Sequence, residues 1–125
     1  MPRTWMHAKP MATNPSFMNG VPELLILRTL EASEMYGYEL VQTIRAKTNQ
    51  AISLGEGVVY PALHALEREG MLKSRHKLVN GRTRVYYSVT RKGEKHLAGL
   101  VRHWQHITDA IGLAIGGTAH AAITL

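Results

Sequence analysis

Apolar residues fall into helical spacing from about residue 21. In VPELLILRTLEAS, Leu24, Leu27 and Leu30 with Ile26 form a stripe, and Pro22 suits a first turn, so a helix is expected over residues 21–32. SEMYGYELVQTIRAKTN breaks at Gly37 and resumes with Tyr38, Leu40, Val41 and Ile44, predicting a short turn and then a second helix ending near Lys47. After the connection AISLGEG, the run EGVVYPALHALEREGML predicts a third helix stopped by Gly70. The period then changes from helix to strand. MLKSRHKLV and TRVYYSVT flank Asn80-Gly81, a pair that favours a tight turn, so a two-stranded hairpin is expected. Thr90 suits an N-cap, and RKGEKHLAGLVRHWQHITDAIGLAI places Leu97, Val101, Trp104, Ile111 and Ile115 on one stripe flanked by Leu100 and Ile107.

This order describes a mainly α fold with a small β-hairpin: a winged helix-turn-helix over residues 21–90 and a further helix over 91–116. Residues 1–20 read as a loose arm, with scattered charge and three prolines, and 117–125 as a short tail.

The third helix is the candidate reader of a duplex. At about 100° per residue, Val59, Ala62, Leu63 and Leu66 share one face and belong to the core. Gly57, Pro61, His64 and Arg68 lie roughly opposite, with Tyr60 on the flank. That outward face lacks the long salt-bridged side chains of an ordinary wet surface. Gly57 permits a backbone N–H to approach a phosphate, and Pro61, taken as early in the helix, sacrifices no needed donor. The competing reading packs Tyr60 against the second helix and leaves His64 an incidental surface residue. Around the hairpin turn, Lys73, Arg75, Lys77, Arg82 and Arg84 would present positive charge to phosphates or a minor groove, although a charged hairpin can also be a protected sheet edge.

Composition narrows the classes. The chain has 125 residues, about one domain, with 15 Lys and Arg against 9 Asp and Glu for a formal charge of +6, which favours a polyanionic partner. It has no cysteine, which removes disulfides, thiolate metal sites and cysteine nucleophiles and suits a cytoplasmic setting. Apolar runs are far shorter than the roughly 20 residues of a spanning helix. His103 and His106 have no Glu-x-x-His pattern, Asp109 alone does not make a site with them, and no phosphate-binding loop, dinucleotide turn or serine elbow occurs, so no enzyme, metal or cofactor is expected. A winged helix that binds a protein instead of DNA is the alternative.

The segments LLILRTL, YGYEL, GVVYPALHALEREGML and NGRTRVYYSVTRKG, with Trp104 in the last helix, closely resemble the PadR family of bacterial transcriptional regulators. The resemblance implies a homodimeric repressor on a palindromic operator, released in relatives by small aromatic or drug-like ligands. Carried over by position, it assigns Tyr38, Gly57, Tyr60, Pro61, His64, Arg68, Arg82 and Arg84 to double-stranded DNA. It also makes the last helix the dimerisation element, through Leu97, Leu100, Val101, Trp104, Ile107, Ile111 and Ile115, with Trp104 as a candidate ligand contact; the alternative is that this helix folds back onto its own core. Where the family commonly has Ser or Thr, this chain has Val58, so a hydroxyl contact to phosphate is lost.

Overall fold

The computed structural model describes residues 20–116, so the arm and the tail read from the sequence lie outside the described residues. Among the described residues, four helices and three strands follow in the order α1 (Val21–Ala32), β1 (Met35–Tyr36), α2 (Gly37–Lys47), α3 (Glu56–Arg68), β2 (Leu72–Val79), β3 (Arg82–Val89) and α4 (Arg91–Ile115).

The local signals work as the sequence predicts. Gly70, with φ of 80°, ends α3, and the Met71 N–H donates to the Leu66 carbonyl across that left-handed residue. Asn80 and Gly81, at φ of 51° and 78°, form the two-residue turn that sets Val79 opposite Arg82. Thr90 Oγ1 accepts from the Gly93 N–H at 3.0 Å and caps α4.

Three expectations need correction. The sheet has three strands, not two, in the antiparallel order β1-β3-β2, because Met35 and Tyr36 pair with Tyr87 and Tyr86. Gly37 is the first residue of α2 rather than a break before it. Its small size serves packing: a Cβ built there would stand 2.5–2.6 Å from the end of the Tyr60 ring. Pro61 lies inside α3, past its first turn, so the ladder bond that its nitrogen would give to the Gly57 carbonyl does not exist.

One core joins the elements. Ile26, Leu27 and Leu30 of α1 meet Leu40, Val41 and Ile44 of α2, Val59, Leu63 and Leu66 of α3, Leu72 and Tyr87 of the sheet, and Leu97 of α4. The predicted inner face of the third helix is therefore the core face. Close backbone approach anchors α4 to the root of β2, since a Cβ on Gly93 would overlap the Met71 carbonyl oxygen. His96 of α4 also reaches Glu23 of α1 at 3.3 Å.

The predicted dimer stripe divides at this anchor. Leu97 is only 2% exposed and belongs to the core of the fold, and Leu100 and Val101 pack against that core half-buried. Trp104, Ile107, Ile111 and Ile115 remain exposed, joined by Leu113, which was outside the expected set. The first turns of α4 therefore complete the core, and among the described residues its later turns carry exposed apolar side chains.

Candidate nucleic-acid interface

The groove between α3 and the hairpin starts from the two faces of the ribbon. In β2 and β3 the register places Leu72, Ser74, His76 and Leu78 opposite Val89, Tyr87, Val85 and Thr83. Alternation puts these eight residues on one face. That face meets α3: Leu72 is buried, and Ser74 Oγ donates to the Glu67 carboxylate at 2.6 Å. Val85 and Tyr87 lie with Tyr60 and His64 in one groove, whose other walls are Tyr36, Gly37, Thr83 and Arg84.

Of the eight residues assigned to DNA, the structure gathers Tyr60, His64 and Arg84 in this groove. Gly57, Pro61 and Arg68 are exposed on α3, and Arg82 is exposed at the ribbon's end. Tyr38 is exposed on α2 but lines a different hollow, with Ser33, Glu34, Met35, Tyr36, Glu39, Gln42 and Thr43. Tyr60 is half-buried with its ring against Gly37, so it packs on the second helix while its edge lines the groove. Val58 stands exposed near the start of α3, where a hydroxyl would otherwise be available.

The basic residues are not equivalent. Arg75 donates to Glu34 through Nε at 2.9 Å and through a second nitrogen, and Lys77 Nζ reaches the same carboxylate at 3.3 Å. The Arg75 hydrogen bond holds the Glu34 carboxyl at about 2, far below its ordinary value of 4.5, with Lys77 adding to the effect and partial desolvation opposing it. Two of the five cations that surround the hairpin turn, Arg75 and Lys77, are thus tied to an acid. Lys77 also sits 4.3 Å over the Tyr86 ring. Burial pushes the Tyr87 hydroxyl up, with the Glu67 carboxylate adding to it, so this wall of the groove stays an uncharged phenol.

Arg84 is held differently. Its guanidinium lies 4.3 Å over the Tyr36 ring, which packs edge-on against Tyr86 with centroids 5.4 Å apart. Stacking uses the guanidinium face and leaves its in-plane N–H donors for a planar acceptor such as phosphate. Tyr36, Glu34 and the inner-face residues Thr83, Val85 and Tyr87 were missed as site residues. The period-2 alternation of TRVYYSVT could have identified the last three; nothing local marks Glu34 or Tyr36.

A helix-turn-helix whose second helix presents an open face beside a basic, antiparallel ribbon defines a winged helix-turn-helix. The profile described as "Transcriptional regulator PadR-like family" matches residues 26–99, and the chain belongs to that family of regulators. A transcriptional regulator of Mycobacterium tuberculosis is 29% identical over 106 residues, 85% of this chain and 94% of that one. Among solved structures, a transcriptional regulator from Clostridium thermocellum is 29% identical with a TM-score of 0.72, over 78% of this chain and 95% of its own. A PadR-like transcriptional regulator from Bacillus cereus is 27% identical with a TM-score of 0.71, over 82% and 98%. These relatives are regulators rather than enzymes. Among the described residues no group of His, Asp and Glu gathers to hold a metal ion, and no helix is long and apolar enough to cross a membrane.

Proposed function

We propose that two copies of this chain bind duplex DNA at a palindromic operator and repress transcription there. The outward face of α3 would enter the major groove, and Arg82 and Arg84 would grip flanking phosphates. The observation that carries this reading is the groove itself, lined by Tyr60 and His64 of α3 and by Thr83, Arg84 and Val85 of the ribbon, with the Arg84 guanidinium held over the Tyr36 ring on the ribbon's other face. His64 and Arg68 would contact base edges, while the exposed Gly57 lets the start of α3 approach the backbone.

The uncovered later turns of α4 support pairing with a second copy. Ile111 is 52% exposed within a run that also exposes Trp104, Ile107 and Ile115, an apolar surface that a solvated helix would not carry. Two-fold pairing sets two reading helices about 34 Å apart, the repeat of successive major grooves on one side of a duplex. An aromatic effector would meet that surface at Trp104.

The test is a salt series on duplexes selected by the protein from a random pool. Affinity should fall with a log-log slope of about −0.9 per phosphate contacted. Arg82→Ala and Arg84→Ala should weaken binding to every sequence and flatten that slope, and His64→Ala should change sequence preference more than overall affinity. A flat salt response of the unaltered protein, or failure to enrich any duplex, refutes the reading.

A further inference from the structure

Leu78 is 74% exposed, on a ribbon whose other exposed positions are mostly basic or polar. An apolar residue at the end of a strand runs against the usual protection of sheet edges by charge. Its placement is specific. It belongs to the face of β2 that turns toward α3, paired with Thr83, while Lys77 and Arg84 pair on the opposite face and Val79 pairs with Arg82 beside the turn. At about 3.3 Å per residue, Leu78 stands roughly 7 Å beyond His76, across from Thr83, which lines the tip side of the Tyr60–His64 groove. The tip is short, because Asn80 and Gly81 both occupy left-handed backbone and close the ribbon in two residues.

Resting on the DNA-binding reading above, we propose that Leu78 is an apolar probe that enters the minor groove beside the major groove held by α3. The two faces of the ribbon would then divide the work. Arg82 and Arg84 hold the phosphate walls from one face, and Leu78 reaches from the other to the sugars and base edges between those walls. Leucine is among the side chains that enter a minor groove and wedge base steps apart, and its fit depends on groove width and on how easily the step opens. The ribbon would thereby add sequence preference without a hydrogen bond to any base.

The experiment uses the full chain and the duplexes that it selects, comparing the unaltered protein with Leu78→Ala, Leu78→Met and Arg82→Ala. Hydroxyl-radical cleavage reads minor-groove protection, titration at several salt concentrations reads affinity and slope, and sedimentation without DNA reads the mass. Leu78→Ala should weaken binding about tenfold, since it removes an apolar group that the duplex would bury. It should erase protection at the flanking minor groove and leave the salt slope unchanged because no phosphate contact is lost. Leu78→Met should retain protection, and Arg82→Ala should flatten the slope. Unchanged affinity and protection in Leu78→Ala overturns the inference while leaving the DNA-binding reading standing, whereas an unaltered protein that retains no duplex removes both. A change of mass in Leu78→Ala without DNA would assign the leucine to a contact between copies and also overturn it.

Discussion

Gly37→Ala perturbs the reading helix without touching DNA. The added Cβ would stand 2.5 Å from Cε1 and 2.6 Å from Cζ and Oη of Tyr60. Ordinary contact between carbon atoms begins at about 3.5 Å, so one side must retreat by about 1 Å. The start of α2 is held: the Tyr36 N–H donates to Glu39 Oε1 at 3.3 Å, and Met35 and Tyr36 are paired in the sheet. The displacement therefore falls on Tyr60, which lines one groove with Val85 and Tyr87. Turning a ring about 30° off its rotamer costs about 0.5–1.5 kcal/mol, and overpacking a tight site costs about 1–3 kcal/mol in general. Replacing glycine in a helix returns up to about 1 kcal/mol, less at a first residue. The net expectation is a destabilisation of about 1–2 kcal/mol.

A double-mutant cycle in urea, with Tyr60→Ala as the second change, isolates the contact. In the Tyr60→Ala background, Gly37→Ala should cost nothing or stabilise slightly, since only the helix-propensity gain remains. Duplex affinity should fall in Gly37→Ala as well, because a displaced Tyr60 ring turns into the groove that His64 and Arg84 share. Equal costs in both backgrounds would refute the reasoning and return Gly37 to the role of a simple turn residue.

Two further perturbations test the wing's root and the last helix. Glu34 has a folded-state value of about 2 against an ordinary 4.5, so its contribution to stability is present above about pH 4.5 and is lost as pH falls toward 2. The stability gap between the unaltered protein and Glu34→Gln should therefore be constant near neutrality and close through that window in acid unfolding curves; a gap independent of pH counts against the ion pair. In α4, Ile111→Glu should convert a two-chain mass to a one-chain mass in sedimentation with unchanged helical content, whereas Leu97→Ala should cost about 2–5 kcal/mol of the fold itself. A two-chain mass retained by Ile107→Glu and Ile111→Glu would place the pairing surface elsewhere.

What the sequence discloses is bounded by the distance over which each signal acts. Asn80-Gly81, Gly70 and Thr90 specify turns and caps through their own backbone, and the structure uses each as its residue type predicts. The apolar stripes of α1 and α3 likewise identify their inner faces, which exposes the outer face of α3 by elimination. Residues that position the site act over longer separations. Glu34 neutralises Arg75 from 41 residues away, and Tyr36 orients Arg84 from a strand of two residues, too short to show any period. Gly37 illustrates the ambiguity most sharply, because a glycine before a helical run suits a break, a cap or a close approach equally well. Only the arrival of Tyr60, on another helix, selects among them. The stripe of α4 is ambiguous for the same reason: an apolar face fits its own core as well as a partner's, and only the course of α1 shows that Leu97 is covered while Ile111 is not. Side chains that would touch a duplex must face outward and can be read from local periodicity, whereas the contacts that aim them are tertiary, so substitutions at Glu34, Tyr36 and Gly37 should alter binding without any of the three being a reading residue.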